Sequence, residues 1–353
     1  MESRPPKIRK NSENTPPPSF LPPKRKVYPK SDKNLPIRSK LKALHSFHLL
    51  IRMDDLHSEK IFSLVELSDK RLATGSFKSI VICSYNTKAK NWKKDITEPN
   101  AHESDVNYLC EFNPETLVSC SSDKTIKIWN ITLENLTLVT TLTSHNSDIT
   151  KVITLSNQRF ASSSYDHSVI IWKNNPSNYE EIISLKEEGK VYSILQLKHK
   201  EILVTSSVHF LNPSIAFWSL NSYKRKFQLK GHYASEPNHM VELPDGNIAV
   251  SSDQDGYPII IIDSNKCIVI EEILWDGIIT LTSMPCVLDD FSIVYVKGKT
   301  VLQISSKTYD LITKIEGKEE LDGYYGIISI EKGDFLIVPN GSKGISVIKP
   351  IYQ

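Results

Sequence analysis

The chain has 353 residues, 39% of them hydrophobic, which is enough for one large domain with its own core or for two ordinary domains. The formal net charge is only +2, but residues 1–42 hold twelve Lys and Arg against three Asp and Glu, a net charge of +9, which leaves −7 for the remainder. A basic arm therefore precedes a mildly acidic body. The sequence has neither an apolar run of about 18 residues nor an apolar signal core near its start, so we expect a soluble intracellular protein without a membrane partner.

The five cysteines point to the same compartment. Cys83, Cys110, Cys120, Cys267 and Cys286 are odd in number and include no C-x-x-C spacing. Such a set favours reduced thiols and hence the cytoplasm or the nucleus.

The basic arm contains nine of the 19 prolines, set among Lys, Asn and Ser. A segment of this composition buries too little apolar surface to offset its conformational entropy, so we expect residues 1–42 to form a disordered tail. Within it, the Pro-Lys-Arg-Lys-Val run with Lys24, Arg25 and Lys26 resembles a short nuclear localisation signal. A solvated basic linker and a weak nucleic-acid contact are the alternatives.

From residue 57 onward one pattern returns. A His is followed four residues later by a β-branched residue that opens an alternating strand, then by a Ser/Thr-rich strand, a tight turn and a strand that ends in Ile-Trp. His57, His102 and His145 open successive copies at spacings of 45 and 43 residues. This period is the one expected for a four-stranded propeller blade.

The closing runs of these copies carry a more specific resemblance. Leu117–Trp129 and Phe160–Trp172 resemble the WD-repeat family, and a third run extends from Leu203 to Trp218. The resemblance implies an all-β, seven-bladed propeller over residues 43–353 that follows the tail. The seven blades are expected to open near Ile61, Val106, Ile149, Val191, Met240, Ile278 and Tyr325.

The last copy is one strand short. Phe47–Met53 is an apolar run that precedes the first His and belongs to no other blade. We expect it to pair with the last blade and close the ring, because closure removes exposed sheet edges.

Two copies contain the side-chain types of a hydrolytic triad. In WD-repeat proteins the matching positions form a structural tetrad, in which Asp orients His, His bonds Ser and Ser reaches the Trp indole. Because the set repeats in successive blades, it argues against a unique active site. The tetrad residues are His102, Ser119, Asp123 and Trp129 in one copy and His145, Ser162, Asp166 and Trp172 in the next.

The first copy departs from this pattern. It has His57 and Thr74, but Lys78 is expected at the Asp position and Cys83 at the Trp position, so its network should be incomplete. The ten histidines also follow the blade period and do not pair with Cys or carboxylates at metal-ligand spacing. We therefore expect no metal and no cofactor.

Binding is expected on the loops around the central channel. Aromatic side chains are numerous there, as in interface hot spots, although the alternative that some of them pack between blades stays open for Tyr192, Tyr324 and Tyr325. The predicted partner-binding residues are Phe77, Lys78, Tyr165, Phe210, Tyr233 and Trp275.

The sequence thus predicts a non-catalytic scaffold that binds a peptide or a partner domain on this aromatic rim. The alternative is a nuclear adaptor associated with chromatin or nucleic acid. Only the tail could serve that role, because the acidic propeller repels phosphate. An enzyme would need an unrepeated His or carboxylate cluster at the channel, and the sequence offers none.

Overall fold

Every regular element of the described chain is a β-strand, and the strands form seven sheets. The all-β propeller prediction is therefore confirmed. The computed structural model describes residues 24–28, 44–86, 91–210, 212–231, 236–252, 258–275, 285–288, 292–321, 328–330, 335–339 and 344–352.

Two strands, β1 (Lys24–Tyr28) and β2 (Leu44–Met53), precede five consecutive antiparallel blades. Blade 1 comprises β3 (Ser63–Glu66), β4 (Leu72–Gly75), β5 (Ile80–Asn86) and β6 (Asn91–Glu98). Blade 2 comprises β7 (Val106–Asn113), β8 (Thr116–Ser121), β9 (Ile126–Ile131) and β10 (Leu136–Leu142). Blade 3 comprises β11 (Ile149–Leu155), β12 (Arg159–Ser164), β13 (Ser168–Asn174) and β14 (Tyr179–Lys186).

The second half of the chain continues this order. Blade 4 comprises β15 (Lys190–Gln196), β16 (Ile202–His209), β17 (Asn212–Ser219) and β18 (Arg225–Lys230). Blade 5 comprises β19 (His239–Glu242), β20 (Ile248–Ser251), β21 (Ile259–Asp263) and β22 (Ile268–Trp275). A three-stranded sheet follows with β23 (Cys286–Val287), β24 (Ser292–Ser305) and β25 (Leu311–Leu321). The closing blade contains β26 (Ile328–Ile330), β27 (Phe335–Pro339) and β28 (Ile345–Tyr352).

The number of complete blades differs from the seven expected. Blades 1 to 5 and the closing blade have four or more strands each, so the described residues show six complete blades, not seven. The remaining sheet has three strands. The inner strand expected near Ile278 falls on residues 276–284, which lie outside the described residues.

The closing blade takes its outer strand from the beginning of the chain. β2 pairs antiparallel with β28, with Leu49 opposite Ile348 and Met53 opposite Ile345. The apolar run that belonged to no repeat therefore lies where closure required a strand.

One part of the predicted tail forms a strand. β1 pairs in parallel with β22, with Lys24 opposite Glu271 and Arg25 opposite Glu272. The outer strand of a blade is an edge whose N–H and C=O groups can accept another strand, and these five residues lie along that edge. The remainder of residues 1–42 lies outside the described residues.

The core lies between neighbouring blades. All six residues of β12 are buried, whereas the outer strand β14 is mostly exposed or half-buried. Phe160 stacks on Trp172 with ring centroids 5.8 Å apart, and both pack with Ile128 of blade 2. The innermost strands β3, β7, β11, β15 and β19 are successive neighbours, and β26 returns beside β3, so they surround the channel.

Candidate functional site

The tetrad of blade 2 is a continuous hydrogen-bond chain. His102 Nδ1 lies 2.8 Å from Asp123 Oδ2, and His102 Nε2 lies 2.7 Å from Ser119 Oγ. Trp129 Nε1 donates to the same Ser119 Oγ over 2.8 Å. In blade 3 the matching distances are 2.8, 2.8 and 2.9 Å among His145, Asp166, Ser162 and Trp172.

The charge states follow from these contacts. Burial would raise the pKa of Asp123, but hydrogen bonds from His102, from the main-chain N–H of Glu103 and from Thr125 outweigh it and lower that pKa. Burial lowers the pKa of His102, because the cationic ring loses more hydration than the carboxylate restores. A neutral His102 therefore donates to Asp123 and accepts the proton of Ser119.

This arrangement suits a structural role. Ser119 and Ser162 are fully buried, and each hydroxyl is already bonded to a His and a Trp. A substrate cannot reach either oxygen without opening the blade. The tetrads satisfy buried polar groups that join the loop before each inner strand to the two middle strands.

Blade 1 has a shorter network. His57 Nε2 lies 2.7 Å from Thr74 Oγ1, and His57 Nδ1 lies 2.8 Å from Ser79 Oγ, so a hydroxyl replaces the carboxylate. Cys83 is buried at the position of the indole, and burial raises the pKa of its thiol to about 12. Burial, with repulsion from Lys94, lowers the pKa of His57 to about 4, which keeps the ring neutral.

The placement of Lys78 at the Asp position is wrong. The hydrogen bond that closes the β4–β5 turn joins residues 76 and 79, whereas the one in blade 2 joins residues 121 and 125, so the first turn is one residue shorter. Lys78 has a φ of 59° and matches Lys124, whose φ is 71°. Ser79 of this turn therefore makes the hydrogen bond to His57 that Asp123 makes to His102.

Blade 4 contains a tetrad variant that sequence reasoning missed. Glu187 is buried, and its Oε1 accepts hydrogen bonds from Trp218 Nε1 at 2.8 Å and from Thr205 Oγ1 at 2.5 Å. Burial raises the pKa of Glu187 despite these bonds. The available signal was its position four residues before Val191, the spacing that separates each tetrad His from its inner strand.

A cavity of about 240 Å³ lies among the innermost strands. Inner strands of blades 2, 3 and 4 share a register shift near their beginning, after Val106, Ile149 and Val191, and the residues at these β-bulges line the cavity. A bulge re-aims a side chain, and here it does so at equivalent places in each blade. The bulge residues are Asn107, Thr150 and Tyr192, and Phe62 lines the cavity from the equivalent position of blade 1.

Hydrogen bonds between blades fix the cavity walls. Asn107 Nδ2 donates to the carbonyl of Ile149 at 2.8 Å, and Thr150 Oγ1 donates to the carbonyl of Val191 at 3.0 Å. Tyr192 donates to Glu236 Oε1 at 3.2 Å. These bonds link blades 2 to 5 in sequence, so the cavity is part of the rigid frame.

Lys151 supplies a cation to this cavity. It is 7% exposed, and its Nζ lies 3.3 Å from Ser193 Oγ and 5.2 Å from the centre of the Tyr108 ring. Burial lowers the pKa of its amine to about 8. Asp148, Tyr165 and Tyr192 line the same cavity, which therefore combines aromatic surface with both signs of charge.

The predicted rim residues occupy turns at the channel end. Phe77 is 43% exposed and bridges to Asp105 beside blade 2, and the Nζ of Lys78 lies 5.4 Å from its ring. Phe210 occupies the equivalent turn of blade 4 and is 85% exposed. Tyr165 is half-buried in the cavity wall, 5.1 Å from Tyr192 between ring centroids.

The remaining predicted sites are only partly described. Tyr233 lies outside the described residues, and Trp275 ends β22 with its side chain outside them. Lys24, Arg25 and Lys26 lie on β1. Within the described chain no group of three His, Cys, Asp or Glu side chains could hold a metal ion, and no helix there is long and apolar enough to cross a membrane.

Comparison with known proteins agrees with this architecture. The family description "WD domain, G-beta repeat" matches residues 93–130 and 136–173, which contain the tetrads of blades 2 and 3. Among solved structures, the crystal structure of the WD40 β-propeller domain of Doa1 is similar, with 16% identity and a TM-score of 0.68 over 86% of this chain and 97% of that one. No curated protein matches the sequence. Residues 93–130 and 136–173 therefore match the WD-repeat model, and the chain as a whole shares the fold of a WD40 β-propeller.

Proposed function

We propose that this protein is a non-catalytic scaffold that binds a peptide or a partner domain at its channel mouth, which we define as Phe77, Lys78, Tyr165 and Phe210. WD40 propellers are generally protein-interaction scaffolds. The observation that carries the proposal is the pair of exposed phenylalanines at the channel end beside an aromatic cavity. Aromatic anchors next to a pocket are typical of interface hot spots.

Phe210 adds an argument from backbone geometry. Its φ is 45°, in the left-handed region that a bulky side chain rarely adopts, and its ring is almost fully in water except for an edge contact with His209. Neither folding nor packing favours a phenylalanine at such a turn. A bound partner that covers the ring would account for it.

The test compares two variants of the full chain. Phe77→Ala, Tyr165→Ala and Phe210→Ala are combined in one, and Asn174→Ala and Asn221→Ala, on the opposite face, are combined in the other. Affinity purification with quantitative mass spectrometry should show partners that the wild type and the opposite-face variant retain and the mouth variant loses. Each anchor should contribute about 1 to 3 kcal/mol to binding. Equal recovery with all three proteins would reject the mouth as the binding surface.

The alternative function is a nuclear adaptor that contacts chromatin or nucleic acid through residues 1–42. It predicts binding to DNA or RNA that weakens with salt and disappears when this segment is deleted. We propose a cytoplasmic or nuclear location, and we keep Lys24, Arg25 and Lys26 as the candidate nuclear signal.

A further inference from the structure

The cavity among the innermost strands contains a buried ammonium group with little compensation. Lys151 Nζ has three N–H donors, and its one described hydrogen-bond partner is Ser193 Oγ at 3.3 Å. The Tyr108 ring, 5.2 Å away, offers only its π-face. Within the described chain, no carboxylate forms an ion pair with this amine at 4.0 Å or less.

Burying a cation without an opposite charge is costly, and folding alone does not require it here. A Met, whose unbranched side chain is nearly as long as that of Lys, would fill the same space at the interface of β11 and β15. Lys151 as a residue is nonetheless 7% exposed, and it lines an open volume of about 240 Å³. Such a group is arranged to meet an anion that enters the cavity.

We propose that the cavity beside Lys151 receives a carboxylate group of the bound partner. The ammonium would bond the carboxylate, and Tyr108, Tyr165 and Tyr192 would contact the aliphatic part of the same side chain. Asn238 lines this wall with a buried Oδ1 atom that has no hydrogen-bond partner among the described residues, and rotation of its amide would present N–H donors instead. The inference rests on the proposed function, because it assigns the chemistry of the group that the channel mouth admits.

The surrounding charges favour a single negative charge. Asp148 lines the same cavity, and His239 forms another part of its wall. The two negative charges of a phosphate dianion would exceed the single positive charge of Lys151, and Asp148 would repel the excess. The single charge of a carboxylate is balanced by Lys151. A cavity of this volume accommodates one acidic side chain.

Three isosteric probes separate the sources of a carboxylate. N-acetyl-glutamate amide carries it on the side chain, N-acetyl-glutamine carries it on the main chain, and N-acetyl-glutamine amide carries none. With lysines labelled at Cε, NMR follows Lys151 directly while each probe, or inorganic phosphate, is added at millimolar concentration to the full-length protein. N-acetyl-glutamate amide should shift the Lys151 signal and raise the pKa of its amine from about 8.

The matched variants are Lys151→Met and Lys190→Met. Lys190 is an exposed lysine of the next inner strand whose Nζ lies 5.0 Å from the Tyr165 ring. Lys151→Met should weaken the binding of N-acetyl-glutamate amide at least about tenfold, whereas Lys190→Met should change the affinity for this probe less than about twofold. If Lys151→Met does not fold, the NMR titration of the wild type decides.

Several results would overturn the proposal. Equal shifts with N-acetyl-glutamine amide would show that charge is irrelevant, and an unchanged Lys151 signal with every probe would show that the ammonium meets no anion. If phosphate bound more tightly than N-acetyl-glutamate amide, the ligand of the cavity would be a phosphate group and not a carboxylate. If N-acetyl-glutamine gave the larger shifts, the ligand would be the C-terminal carboxylate of a chain and not an acidic side chain. Partners lost by the mouth variant but retained by Lys151→Met would leave the scaffold function intact and reject the carboxylate.

Discussion

Acidification should destabilise blade 1 through His57, by an amount that the structure sets. Burial, with repulsion from Lys94, lowers the pKa of this ring from 6.5 to about 4. Between these values the unfolded chain binds a proton that the folded chain does not, so the stabilisation is complete above pH 6.5 and is lost as the pH falls. From pH 7.5 to pH 5 the linkage relation gives a loss of about 2 kcal/mol for this group.

The assay is urea unfolding of the wild type and His57→Gln at several pH values in this interval. Glutamine can hydrogen-bond Thr74 Oγ1 but does not titrate, so the two free energies of unfolding should approach each other by about 2 kcal/mol between pH 7.5 and pH 5. His167→Gln, which changes an exposed histidine of blade 3, should follow the wild type throughout.

NMR titration of the His57 ring provides an independent measurement. A measured pKa of His57 at or above 6.5 would refute the assignment of a buried neutral ring. The assignment would also fail if the difference between the free energies of unfolding of the wild type and His57→Gln stayed constant from pH 7.5 to pH 5. The same outcome would place water inside blade 1, where Thr74 is fully buried.

Three further predictions concern the frame. His145→Ala should lower the free energy of unfolding in urea by about 2 to 4 kcal/mol, because the buried Ser162 and the half-buried Asp166 each lose a hydrogen bond. A variant that unfolds like the wild type but loses a hydrolytic activity would contradict the structural tetrad. Deletion of residues 1–42 removes only β1, a fifth strand on the edge of a blade that already has four, and should lower the thermal melting temperature little. Deletion through Met53 also removes β2 and should lower it further; equal melting temperatures of the two deletions would reject β2 as the closing strand. Because burial raises the pKa of Glu187, the contribution of this group to folding stability is present below pH 4.5 and is lost as the pH rises. The melting temperature of Glu187→Gln should therefore rise relative to that of the wild type between pH 5 and pH 8. A constant difference between the two melting temperatures would contradict this prediction.

The parts of the fold that depend on periodic patterns were predictable from the sequence. The two complete tetrads, the inner strands that open at Val106 and Ile149, and the closing strand all follow from spacing and apolar alternation. The shortened turn around Lys78 was not, because a one-residue deletion moves every later residue of the turn by one position, and alignment by side-chain type does not locate the deletion. The hydrogen bonds that close the two turns show where the deletion lies.

The cavity could not be predicted for a related reason. Strict alternation along β11 predicts only which side of the sheet each residue faces, whereas the register shift between Ile149 and Lys151 re-aims both Thr150 and Lys151. Glu187 shows a different limit. Its spacing matched the repeat, but the bonding differs: one carboxylate oxygen of Glu187 accepts from both Thr205 and Trp218, a pattern that the His of the other blades does not make.

The internal repeat also separates the frame from the site. Equivalent positions in a repeat meet nearly the same backbone, so a side chain needed only for folding can recur from blade to blade, as the Ser of each tetrad does. The four positions that follow the inner-strand openings meet the cavity in the same way, yet no two of them are alike. Because these side chains differ although the backbone around them is nearly the same, they give the cavity its asymmetric chemistry, and specificity for a partner is expected to depend on them. They are Phe62, Asn107, Thr150 and Tyr192.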